Sequence, residues 1–170
     1  MVFLDQSHSN VHFVSDISKR LAGSYFVALW RDTNSIVSSM LLHKGVLGWY
    51  DNALSKPVPN NFLGNVTKPV FEKMSLIEKC ALRVVQHKNQ IIRAAELHPH
   101  NFYIQNFDKL VTNTDESANK IFGRMGLPSV THISIESNPD TLTKWRQHLD
   151  VENVKSIREI EERYALYTLH

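Results

Sequence analysis

The chain has a single cysteine, Cys80, among its 170 residues. That excludes an intrachain disulfide framework. The surrounding LIEKCALRVV reads as helix, so Cys80 is expected to be a buried, inert thiol. No apolar run approaches bilayer-spanning length, and MVFLDQSHS lacks the pattern of a secretory leader. A cytoplasmic protein without a membrane partner is the expectation. Charge of either sign is scarce in excess, with 19 basic against 17 acidic residues and a net charge of +2. This excludes the strong basic field of a nucleic-acid binder while leaving room for an anionic ligand. Internal repeats and low-complexity segments are also missing. So is the phosphate-loop pattern G-x-x-x-x-G-K followed by Ser or Thr. His98-Pro99-His100 has no third ligand at metal-binding spacing, so it reads as a turn ending a helix rather than a metal site.

What is present fits one domain over residues 1–170, with 42% hydrophobic residues to build a core. Val2–Leu4 reads as a short strand. Val11, Val14, Ile17 and Leu21 recur at helical spacing, which predicts a helix over 10–21 capped by Ser9 or Asn10. Tyr25–Trp30 is dense in apolar and aromatic residues and predicts a strand buried on both faces. A helix over 33–43 follows, capped by Thr33 or Asn34, with Ile36, Val37, Met40 and Leu41 on one face. Gly45 and Gly48 predict a loop carrying Trp49-Tyr50, and residues 51–69 read as irregular. Residues 71–97 predict one long helix or two in succession, stopped by Pro99. Then come a strand at 102–105, a helix at 114–125 before Gly126-Leu127-Pro128, and a short strand at 133–135. Helices at 139–149 and 151–164 complete the chain, the second capped by Asp150. Charges at four-residue spacing give that last helix a solvated face.

Strands alternating with helices imply crossover units on a parallel sheet, hence an α/β fold. Such sheets bind ligands at the carboxyl ends of strands, beside helix N-termini. Arg31 sits at such an end, with Ser38 and Ser39 in the helix beyond. An arginine fork, a helix N-terminus and hydroxyl donors together make a phosphate clamp. The alternative is a surface ion pair between Arg31 and Asp32, with ordinary helix serines.

Residues 31–39, RDTNSIVSS, resemble the 3′-phosphate motif of the sulfotransferases that use 3′-phosphoadenosine 5′-phosphosulfate (PAPS). That motif runs Arg-Asp-Pro-x-Asp-x-x-x-Ser after a strand. Arg31 and Ser39 keep its spacing, while Thr33 replaces the proline and Ser35 the aspartate. Upstream, FLDQSHSNVHFVSDISKRL is similar to the family's strand, Lys-Thr/Ser turn and helix. Downstream, FYIQNFDKLVTNTDESANKIFGRMGLP resembles its strand, Tyr-Glu-Asp-Leu and helix. TLTKWRQHLDVENVKSIREI resembles its C-terminal Lys-Trp-Arg segment.

The resemblance implies a three-layer, P-loop-like parallel sheet with flanking helices. It also implies an N-terminally truncated form, matching the C-terminal part of the family fold without the 5′-phosphosulfate loop. The implied reaction moves a sulfuryl group from PAPS to a hydroxyl or amine of a small-molecule, saccharide or peptide acceptor. It releases adenosine 3′,5′-bisphosphate (PAP). Arg31 and Ser39 would hold the 3′-phosphate, with Lys144, and beside it Arg146, approaching from the C-terminal segment. His8, in Gln6-Ser7-His8, would be the base that deprotonates the acceptor, with Asp5 a weaker alternative. Trp49-Tyr50 would either line an acceptor pocket or cover the core. A homo-oligomer covering an exposed sheet edge is a further expectation. The alternative reading is a non-catalytic nucleotide- or partner-binding domain.

Overall fold

A computed structural model of the chain describes residues 5–51, 61–132 and 138–167. The strands expected at 2–4 and 133–135 lie outside the described residues. The fold is α/β. Strand β1 (Phe26–Trp30) pairs in parallel with β2 (Phe102–Asn106), Phe26 opposite Phe102 and Trp30 opposite Asn106. A parallel pair needs a crossover. Here it runs through helices α2 (Thr33–Leu41), α3 (Lys44–Asp51), α4 (Lys68–Lys73) and α5 (Leu76–Leu97). Ahead of β1 lie a 3-10 turn (His8–His12) and α1 (Val14–Arg20). After β2 come α6 (Phe107–Thr112), α7 (Thr114–Arg124), two 3-10 turns (Pro139–Leu142 and Lys144–Gln147) and α8 (Val151–Tyr164).

Local chemistry explains most boundaries. Ser75 opens α5 with a reciprocal cap: its Oγ accepts from the Glu78 N–H at 3.3 Å, and its own N–H donates to Glu78 Oε2 at 2.6 Å. That cap divides 68–97 into two helices. Helix α7 ends in a Schellman turn. Gly126 takes φ +69°, Leu127 N–H donates to Phe122 O at 2.9 Å, and Gly126 N–H donates to Gly123 O at 3.2 Å. Asp150 caps α8 as expected, its Oδ1 accepting from Asn153 N–H at 2.8 Å.

The expected 10–21 helix divides at Phe13 instead. The cap there is Ser7, on the 3-10 turn, not Ser9 or Asn10. The segment 139–149 forms two 3-10 turns rather than one helix. The glycine-punctuated loop is also corrected, because α3 runs through Gly45 and Gly48. Val46 packs on the core, and Tyr50 is buried, its hydroxyl donating to Lys79 O at 3.2 Å. Tyr50 therefore belongs to the core rather than to an acceptor pocket. That burial offsets roughly 1 kcal/mol per helical glycine.

Two clusters hold the fold together. The larger joins α2, α5 and α8 around Val37, Leu63, Phe71, Leu82, Val85 and Ile157. Cys80 lies in it, fully buried, and burial pushes its thiol up to about 11. The smaller packs Val14, Ile91 and Ala94 against Phe102 and the Phe26, Ala28 and Trp30 side of the sheet. Alternate residues of β1 point the other way. Val27 and Leu29 are 38% and 47% exposed, which corrects the expectation of a strand buried on both faces. Helices α1 and α5 cover one side of β1 only.

Candidate functional site

The site begins where β1 stops. Asp32, rather than Thr33 or Asn34, caps α2, its Oδ1 accepting from Ser35 N–H at 2.9 Å. Arg31 therefore sits between a strand end and a helix start. Its Nη2 donates to Thr141 O at 3.1 Å, and its guanidinium lies 4.7 Å from the centre of the Phe107 ring. No Arg31–Asp32 ion pair forms among the described residues. Among the described residues, the buried Arg31 Nε has no hydrogen-bond partner. A buried guanidinium N–H left unmatched is costly, and an acceptor arriving there would be well received.

The segment 139–147 straps this corner. Ser35 Oγ donates to Leu142 O at 3.5 Å, and the turn 144–147 packs on α2. Lys144 and Arg146 are exposed on that turn, while Trp145 anchors it in the larger core cluster. Ser39 is exposed further along α2, whereas Ser35 and Ser38 are buried. Arg31 and the strap carrying Lys144 are thus brought together, around the helix that bears Ser39.

His8 lies elsewhere. It is exposed, its ring 6.3 Å from His87 and 6.3 Å from Phe62. No contact among the described residues joins it to Arg31, Ser39 or Lys144. Burial, followed by the charges of His8, His12 and Arg83, pushes His87 down to about 4. Burial and then His8 lower His12 as well. Asp5 accepts from Asn10 Nδ2 at 2.9 Å, a structural role.

Directly behind the α2 start is a buried polar network that the sequence reading missed. Lys88 Nζ donates to Thr33 Oγ1 at 2.7 Å and lies 3.8 Å from Glu161 Oε1. Thr33 Oγ1 donates to the same Glu161 oxygen, and the Tyr167 hydroxyl donates to it at 3.2 Å. The Lys88 ammonium sits 4.9 Å from the Trp30 ring centre and 5.4 Å from that of Tyr167. Burial lowers the Lys88 pKa, opposed by the charges of Glu161 and Asp32. Burial and Glu161 raise that of Tyr167. The network ties β1, α2, α5, α8 and the segment after α8 to one point, and so fixes the helix start beside Arg31. A signal did exist: Lys88 falls on the apolar stripe of Val84, Val85 and Ile91, and Glu161 one turn after Ile157.

No family model, curated protein or solved structure matches the chain.

Proposed function

We propose that the chain is a sulfotransferase-type domain, with the three-layer P-loop-like architecture of that family, whose Arg31 corner holds the 3′-phosphate of PAPS or PAP. The observation that carries this reading is the buried, unpartnered Nε of Arg31 at the carboxyl end of β1. The guanidinium there is held by Thr141 and Phe107 beside the start of α2. Arg31 would grip the 3′-phosphate with its fork, Ser39 would add a hydroxyl from α2, and Lys144 would add charge from the strap. PAPS, when bound, supplies the sulfuryl group that passes to a hydroxyl or amine acceptor. His8 would take the acceptor's proton.

The separation of His8 from Arg31 favours a second reading, a nucleotide-binding domain without catalysis. Calorimetric titration with PAP separates both readings from error. The unaltered chain is expected to bind, Arg31→Lys to bind about tenfold more weakly because it loses the fork, and Arg31→Ala not to bind. Equal binding by all three, or none by the unaltered chain, refutes the nucleotide site. Labelled sulfuryl transfer from PAPS to a phenol, lost in His8→Ala, supports the transferase. Binding without transfer supports the second reading.

A further inference from the structure

Alongside α5, away from the Arg31 corner, the 3-10 turn and α1 leave a cleft of about 260 Å³. Its polar lining consists of His12, Ser15, Asn61, Gln90, Arg93 and His98. The rest of the wall is aliphatic: Val11, Val14, Ala94 and Leu97. No carboxylate among the described residues lines it. Arg93, an exposed residue on that lining, makes no ion pair among the described residues. His12 Nε2 is buried and has no hydrogen-bond partner among the described residues. His98 Nε2 is held by Ser15 Oγ at 2.9 Å, which fixes that imidazole on the wall.

Each feature points to the same kind of guest. A guanidinium without an ion-pair partner among the described residues attracts an anion, and imidazole N–H groups beside it can donate to one. The stranded His12 nitrogen needs a partner. Val14 and Leu97 offer apolar surface to whatever carries the charge. A few polar groups converging on an aliphatic wall is the usual make-up of a small-molecule site. Burial, and then the charge of His8 on its own turn, lower the His12 pKa, and the other titratable groups lining the cleft are Arg93 on α5 and His98 across it. None is acidic, so the empty cleft favours neutral His12, and an anion would restore its affinity for a proton.

We propose that this cleft binds a small organic anion, with a carboxylate, phosphate or sulfate head on Arg93 and His12 and a short hydrocarbon body against Val14 and Leu97. The site is independent of the nucleotide reading, since Arg31 takes no part in it.

The test is an NMR titration of the histidine ring signals of the full chain with phenyl phosphate, phenol and inorganic phosphate in parallel. Phenyl phosphate is expected to shift the His12 and His98 rings and to raise the His12 titration midpoint. Phenol and inorganic phosphate, each carrying half of the recognised chemistry, are expected to bind at least about tenfold more weakly. Arg93→Gln should weaken phenyl phosphate about tenfold, and Arg31→Ala should leave it unchanged. Leu97 is 71% exposed, so Leu97→Glu introduces a carboxylate at the rim without disturbing the core, and should abolish binding. Phenol binding as well as phenyl phosphate, unchanged affinity in Arg93→Gln and Leu97→Glu, or silence of both rings would each overturn the proposal.

Discussion

His87 and Lys88 are neighbours on α5, and the fold buries much of both, yet it treats them in opposite ways. Lys88, 5% exposed, meets a carboxylate, a hydroxyl and two aromatic rings. Among the described residues, the charges acting on His87 are all those of other bases: His8, His12 and Arg83. Burial penalises the charged form at both positions, but only Lys88 has a counter-charge to oppose that penalty. The Lys88 side of α5 therefore works as a tie between elements. On the His87 side, burial instead disfavours the charged forms of His87 and His12.

The contrast can be broken most severely at Glu161. Glu161→Ala leaves the Lys88 ammonium buried and uncompensated, and should lower the unfolding free energy by about 3 kcal/mol or more. Urea unfolding near neutral pH measures it. Replacing both partners, Lys88→Met with Glu161→Leu, should recover most of that loss. Equal losses in the single and double variants would mean that the two groups are not coupled.

Acid sharpens the contrast from the other side. His87 is pushed down to about 4 in the folded chain, below the ordinary value of about 6.5 when unfolded. Its stabilising effect is fully present above the unfolded value and is lost as pH falls from there to the folded one, because only the unfolded chain then binds the proton. The loss should approach about 3 kcal/mol at most, with His12 adding in the same direction. His87→Gln should flatten the profile across that window, as read by urea unfolding in a pH series. An unchanged slope would show that His87 is not held neutral.

Ser75→Ala, which removes the cap of the helix carrying both residues, should cost about 1 kcal/mol and leave that pH profile parallel. The smallest effect belongs to the exposed pair Arg158–Glu162, 2.9 Å apart on the same helix as Glu161. Arg158→Ala should change stability by less than about 0.5 kcal/mol and lose even that in salt.

Much of this was legible locally. Apolar density marked both strands, Asp150 marked the start of α8, and the place of Arg31 after β1 followed from strand and helix signals a few residues apart. Ser75 and Glu78 carried the reciprocal cap that separates α4 from α5, although apolar periodicity alone left one helix or two. The glycines of α3 misled, because the burial of Val46 and Tyr50 outweighs their local preference. The exposed side of β1 was illegible too, since Val27 and Leu29 look like their buried neighbours and only the placement of helices distinguishes them. The Lys88–Glu161 tie depends on packing between distant helices. Thr33, read as a cap candidate and as a departure from a family's proline, supplies the hydroxyl that joins the two.

The corner at Arg31 is proposed to recognise a 3′-phosphate. The most direct test compares the affinities of PAP and adenosine 5′-monophosphate, which differ by that one group, for the unaltered chain and for Arg31→Ala. PAP should bind at least about tenfold more tightly to the unaltered chain, and the difference should vanish in the variant. Equal affinities in the unaltered chain, or a preference that survives the loss of Arg31, would contradict the proposal.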